Sequence, residues 1–252
     1  MPDLSLTTWT AVFLVTFLAG YVKGAVGFAM PMIMISGLGS IIDPKLAIAG
    51  LILPTLATNT VQAFRHGYRA AIAVAKAHWR YLSLLLIMII ASSQLVAIVP
   101  VKTLFLIIGI PVVALALIQL LSVRLTIPPN RRGLGEWIAG GSAGFLGGLS
   151  GVWGPPTVLY LTALNTPKLE QLRLQGVAYG LGALVLLLAH VQSGIFNRET
   201  APFSAYLLGP AILGLLLGFR TSDALNQTLF RRATLIVLIL AGLNLVRRGL
   251  SG

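Results

Sequence analysis

Lys23 has the most evident chemistry in this sequence, because it follows an uncharged run from Leu4 to Val22 and precedes another from Gly24 to Ile42. Ionisable residues so placed are costly in a bilayer and mark pathways by default. A fixed positive charge there would draw an anion; the structural alternative is a lysine that snorkels to the interface. Around it stands Gly20-Tyr-Val-Lys-Gly-Ala-Val-Gly27, followed by Pro31. The pattern returns as Gly144-Phe-Leu-Gly-Gly-Leu-Ser-Gly151, followed by Pro155. Proline lacks a backbone donor and glycine tolerates unwound geometry, so each cluster predicts a helix that stops. Amides freed near Gly27 and Gly151 would carry partial positive charge and bind an anion without any side chain. Gly20 and Gly24, and likewise Gly140, Gly144 and Gly148, also recur every four residues, the spacing of close helix packing. Both readings stand.

The acidic residues argue against a cation pathway. Asp3, Asp43, Glu136, Glu170, Glu199 and Asp223 all lie at segment ends or in loops, whereas pumps and cation carriers place carboxylates inside the bundle. A relay through a buried carboxylate is not expected, which leaves His190 or the substrate itself to carry any coupling proton. Of the other polar residues within apolar segments, Gln62, Gln94, Gln119, Gln175 and His190, with Thr55, Thr58 and Thr60, read mainly as helix-to-helix glue. Asn59 sits mid-segment after the first broken helix. Arg173 opens the segment after the second, where its planar fork suits a multi-oxygen anion or simply anchors the helix at the interface.

Catalysis and cofactors find little support. The chain has no cysteine, which removes disulfides, iron–sulfur clusters and thiolate metal sites. No second histidine stands near His190 at metal spacing. Ser150 lies in Leu149-Ser150-Gly151 rather than in a nucleophile elbow, and no zinc-binding His-Glu-x-x-His occurs. The glycine spacing is not a dinucleotide fingerprint and no strand precedes it. No catalytic residue, metal or cofactor is expected.

These residues sit in a chain of 252 residues that is 57% hydrophobic and only 10% charged, too little charge to coat a soluble globule. Eight apolar segments run from about Trp9 to Gly39, Ala47 to Phe64, Tyr81 to Val99, Thr103 to Ser122, Trp137 to Leu164, Leu174 to Gln192, Phe203 to Phe219 and Thr234 to Val246. A backbone facing lipid must satisfy itself, and the runs are too long for barrel strands, so all eight are predicted helical. The chain lacks a basic stretch before its first apolar run, and a cleaved signal is not expected. The net charge of +12 lies between apolar segments, which reads as topology and not as nucleic-acid binding.

The glycine–proline repeat divides the chain in two, and Asp43-Pro44-Lys45 matching Thr166-Pro167-Lys168 extends it. The expectation is an all-α integral membrane protein of two four-segment repeats, 1–123 and 136–252, joined by a linker at 124–135. Trp137 to Pro167 is 31 uncharged residues, about 46 Å as one helix against a hydrocarbon core of about 30 Å. The first segment of each repeat is therefore broken or re-entrant. If all eight segments cross, the basic residues other than Lys23, which stays within the membrane, divide ten against seven between the two faces. If the broken ones are re-entrant, they divide twelve against five, which the preference for a basic cytoplasmic face favours. Three crossings per half would then give inverted repeats.

The chain resembles the sulfite exporter TauE/SafE family of bacterial permeases, through Gly20 to Pro31 (GYVKGAVGFAMP), Gly144 to Pro156 (GFLGGLSGVWGPP) and the two four-segment halves. The resemblance implies a multi-pass transporter in the bacterial inner membrane for small sulfur-containing anions such as sulfite, sulfonates or thiosulfate. Many members look like Gly-Gly-Gly before the proline, whereas Phe28-Ala29-Met30 and Val152-Trp153-Gly154 stand here; Met30 and Trp153 would narrow or reshape the pocket. The expected site between the broken helices comprises Lys23, Gly24, Gly27, Pro31, Asn59, Gly148, Ser150, Gly151, Trp153, Pro155, Arg173 and Gln175. A small anion and the bilayer are the expected partners. A coupling proton and a homo-oligomer stay open, as do a membrane-embedded enzyme or complex subunit and a passive anion channel.

Overall fold

Helix α1 (Leu6–Val26) begins at Ser5, whose hydroxyl accepts from the Thr8 N–H at 3.2 Å. It ends at Gly27, where the chain turns left-handed at φ 89°. Ala29 is left-handed as well, and Pro31 stands in the first turn of α2 (Met30–Leu38). Asp43 caps α3 (Pro44–Phe64) through the Lys45 and Leu46 amides. There follow α4 (Tyr68–Ala77), α5 (Trp79–Ser93), α6 (Val101–Leu120), a 3₁₀ turn (Pro129–Arg131), α7 (Arg132–Ser150) and α8 (Gly154–Ala163). The last four are α9 (Lys168–Gln192), α10 (Ala201–Tyr206), α11 (Leu208–Ala224) and α12 (Gln227–Ser251). This is a computed structural model, and it describes residues 4–93, 100–121, 126–150 and 153–251. No strand occurs among the described residues.

The protein is an all-helical, multi-pass membrane protein. Five stretches are long and apolar enough to cross a bilayer: α1, α3 from Lys45, α9, α10 with α11, and α12. The count rises to six if α4 and α5, bent by 84° at His78, form one span. The stretch between the second and third apolar segments reads as a loop in the sequence, yet it holds α4. There Ala71 and Val74, three residues apart, turn inward while Tyr68 and Ile72 stay exposed. Pro54 lies inside α3 and leaves the Gly50 carbonyl without its intrahelical donor. The Ser204 hydroxyl of α10 donates to that carbonyl at 3.1 Å and accepts from the Leu53 N–H at 3.1 Å, so α3 continues.

Both glycine–proline clusters break their helices, and in each case the second arm returns along the first. Gly37 abuts Val15, so α2 folds back on α1; Gly147 abuts Trp153 and Gly135 abuts Tyr160, so α8 folds back on α7. The turn after α1 lies beside the end of α3 and the start of α9, where Gln62 Nε2 donates to the Gly27 carbonyl at 3.2 Å and to the Leu172 carbonyl at 2.8 Å. The base of α7 lies beside the starts of α5 and α9, through Glu136, His78 and Glu170. The tip of the first hairpin thus points toward the end of α9 where the second has its base, and Phe28 at one tip lies against Gly154 at the other.

Each hairpin is held by backbone-to-backbone packing. A Cβ on Gly20 would strike the Ala211 carbonyl, and one on Gly24 would strike the Leu215 carbonyl. Gly214 and Gly218 face Phe17 and Tyr21 of α1 in return. On α7, Gly140, Gly144 and Gly148 press in the same way on Tyr81, Leu85 and Ile89 of α5. The other close pairings are α3 with α9 and α6 with α12.

Replacing Gly24 with Val should lower the thermal unfolding midpoint of the detergent-purified protein, because two backbones must separate, at a cost of about 1–3 kcal/mol. Gly209→Ala, where nothing lies within 4 Å of an added Cβ, should stay within about 0.5 kcal/mol of the parent. Equal effects of the two substitutions would refute close packing as the role of Gly24.

Candidate functional site

Lys23 lies in the last turn of α1, buried to 1% exposure among helices. Its Nζ donates to Asn59 Oδ1, while Asn59 Nδ2 donates to the Tyr179 carbonyl at 3.2 Å. The second bond orients the amide so that its one acceptor faces the ammonium. The Tyr179 ring centroid stands 5.9 Å from Nζ, within reach of a cation–π contact. Among the described residues no carboxylate pairs with Lys23. In its charged form it is a buried cation balanced by one amide oxygen and one ring face. Such a charge is costly unless paired, so the site favours an incoming negative group.

Beside it is a cavity of about 20 Å³, lined by Lys23, Phe28, Ala29, Pro31, Met32, Asn59, Trp153, Gly154 and Tyr179. The lining comes from both hairpin tips, from α3 and from α9. The volume suits about one water molecule, so this conformation is closed to a multi-atom anion. Trp153 leans on Tyr179 with centroids 6.1 Å apart, and Phe28 rests on Gly154. These aromatic contacts occlude the site.

The helix ends contribute unequally. The Gly27 N–H is already used, donating to the Lys23 carbonyl at 2.6 Å. The first turn of α2 can offer the Met30 and Met32 amides, since Pro31 has none. In α8 the first turn carries both Pro155 and Pro156, which strips it of donors beyond Gly154. Positive backbone potential at the cavity therefore comes mainly from α2.

Of the residues expected at the site, Lys23, Pro31, Asn59 and Trp153 line the cavity. Gly24 and Gly148 lie instead in the α1–α11 and α5–α7 contacts, and Pro155 is buried in α8 without lining it. Gln175 is fully buried against Gly27, and neither of its amide atoms makes a hydrogen bond. Arg173, two residues earlier, lies near Arg65 and His66 at the end of α3, away from the cavity. Gly151 and the Ser150 side chain lie outside the described residues, as do Gln94 and the Gln119 side chain. Met30 does not line the cavity: its Sδ accepts from the Thr58 hydroxyl at 3.4 Å. Phe28, Met32, Gly154 and Tyr179 complete the lining. Tyr179, mid-way along an apolar run as Asn59 is, was the member most open to recognition.

Asn59→Ala should destabilise the protein by about 1–3 kcal/mol, because it removes the acceptor of a buried cation. The same change in a Lys23→Met background should cost less. A double-mutant cycle by thermal unfolding reads the coupling, and additive effects would break the proposed pairing.

Searches of curated proteins and of solved structures give no match. The family model described as sulfite exporter TauE/SafE matches residues 12–245. That span takes in both hairpins, α3, α9 and every residue lining the cavity. The chain belongs to the sulfite exporter TauE/SafE family of membrane transporters.

Proposed function

We propose that this protein is a secondary transporter that carries a small sulfur-containing anion, such as sulfite, a sulfonate or thiosulfate, across the bacterial inner membrane. The observation that carries the reading is Lys23: a buried lysine without a carboxylate partner among the described residues, at a closed cavity between two hairpin tips. Family membership supports the substrate class. The Phe28, Met32 and Trp153 side chains form apolar walls around the charge, and the α2 amides add donors.

The pairing of elements supports two inverted repeats, α1 to α6 and α7 to α12. Each opening hairpin packs on the third segment of the other half, α1 on α11 and α7 on α5. The second segments pair as α3 with α9, and the fourth as α6 with α12. In this arrangement each half contributes one re-entrant hairpin and three crossings, and the hairpins enter from opposite faces. Rocking of one half on the other would part Phe28 from Gly154 and open the cavity first to one side, then to the other. Arg65, Arg80, Arg131, Arg132, Lys168 and Arg173 sit on the face with the base of α7, while Lys45, Lys102, Arg198 and Arg247 sit opposite. The first face is then cytoplasmic.

Two measurements test the reading. In proteoliposomes, labelled sulfite or a sulfonate should enter with saturable kinetics, and Lys23→Ala should lower that flux about tenfold or more, as expected for loss of a charged hydrogen-bonding partner. Wild-type flux from Lys23→Ala would remove Lys23 from the site; no flux of any sulfur anion would return the enzyme or complex-subunit alternative, and flux without accumulation would indicate a channel. Since the chain lacks cysteine, single cysteines at Arg131 and Arg198 can be labelled with an impermeant maleimide in intact cells. Arg198→Cys should react and Arg131→Cys should not; reaction of both from outside would sink the assigned orientation.

A further inference from the structure

Next to the Lys23 cavity lie buried amides with unused hydrogen-bonding atoms. Gln62 on α3 and Gln175 on α9 flank the Gly27 turn, at 2% and 0% exposure. Gln62 Nε2 donates to the Gly27 and Leu172 carbonyls, and its Oε1 stays unbonded. Gln175 leaves both amide atoms unbonded, as Gln171, one turn nearer the start of α9, leaves its Nε2. Buried polar groups are nearly always satisfied, and an amide that served only to tie helices together would be bonded. Gln62 comes three residues after Asn59, and Gln175 four before Tyr179, so each is one turn from the cavity lining, on the side of the basic face. At that face stand Arg65 and Arg173, each with a buried guanidinium nitrogen that is unbonded, Nη1 in the first and Nε in the second. Arg65 pairs through Nη2 with Asp223 and lies over the Phe219 ring at 4.1 Å, whereas Arg173 has no ion pair among the described residues.

The corresponding seam on the other side of the cavity is apolar. With Pro44 aligned on Pro167, the positions of Gln175, Gln171, Gln62 and Arg65 correspond to Ile52, Ile48, Val185 and Leu188. Packing α3 on α9 therefore does not itself call for amides in the interior, since only one of the two equivalent seams carries them.

We propose that Gln62 and Gln175, with Arg65 and Arg173 beyond them, line the passage by which the anion moves between the Lys23 cavity and the basic face. The proposal rests on the transporter reading given above. Arg65 and Arg173 draw the anion to the mouth, where a planar fork matches several oxygens at once. The glutamine N–H groups then hold it more weakly than a full charge does, which lets it move on. The passage is closed in this conformation. Gln175 Oε1 lies 1.8 Å from where a Cβ on Gly27 would stand, and Gly176 abuts the backbone of Ala63. Opening it parts α3 from α9 at this end, and with them the two halves of the chain.

Because the chain has no cysteine, the passage can be tested one position at a time in membrane vesicles of either orientation. Gln175→Cys should react with an impermeant anionic methanethiosulfonate from the side that labels Arg131→Cys. Relative to a free thiol, that reaction should be about tenfold faster than with a cationic methanethiosulfonate of similar size. Ile52→Cys should stay unlabelled from that side. No reaction of Gln175→Cys there, equal rates with the two charges, or labelling of Ile52→Cys at the Gln175→Cys rate would overturn the proposal. In proteoliposomes Gln175→Leu should lower sulfite flux about tenfold, yet raise the thermal unfolding midpoint, because an unbonded buried amide is removed. Wild-type flux, or a midpoint that falls together with the flux, would make Gln175 a structural residue and overturn its role. Charge-selective labelling in a protein that moves no sulfur anion would uphold the passage and refute the proposed substrate instead.

Discussion

A helix that stops inside a bilayer exposes backbone donors and acceptors that lipid cannot satisfy. This protein breaks two helices at its glycine–proline clusters, and the surrounding helices shield those ends. The glycine seams on α1 and α7 let α11 and α5 approach to backbone contact, which surrounds the hairpins with protein. Gln62 bonds the Gly27 carbonyl at one tip, and Tyr179 donates to the Gly154 carbonyl at the other, at 3.3 Å. Once the tips are sealed, the interior between them is dry enough for a single charge to dominate it.

In its charged form Lys23 is that charge, and its surroundings hold it without a carboxylate partner among the described residues. Asn59 supplies a dipole where a carboxylate would have made a closed ion pair. The Tyr179 ring adds a face and no formal charge. A closed ion pair would leave nothing for a substrate to do. A partly compensated ammonium leaves room for the anion of the proposed function, beside a cavity the size of a water molecule.

A cluster of ion pairs lies elsewhere, at the junction of α5, α7 and α9. There His78, Glu136, Glu170, Arg80 and Arg132 meet where three helices begin. Glu170, in the first turn of α9, suits the helix dipole, and Glu136 follows one turn into α7. The cluster also joins the first half of the chain to the second at the base of one hairpin. The stacked Tyr160 and Tyr81, with Thr157, lead from this junction to Trp153 on the cavity wall.

Much of this was legible in the residues themselves. Apolar run length determined that the chain spans the membrane as helices, the glycine–proline clusters determined where two of them break, and Lys23 and Asn59 stood out because polar groups in apolar runs need a reason. Family membership could be read from the same motifs. Only the tertiary structure decided which glycines pack and which turn, since Gly24 and Gly27 differ by three residues and a helix–helix contact. It alone brought Tyr179 and Phe28 to the cavity and turned Met30 away from it. It also buried Glu136 against His78, although sequence position places that carboxylate at a segment end. The division has a physical reason: hydropathy and backbone geometry are local properties of the chain, whereas the burial of a polar group depends on which distant helix packs over it.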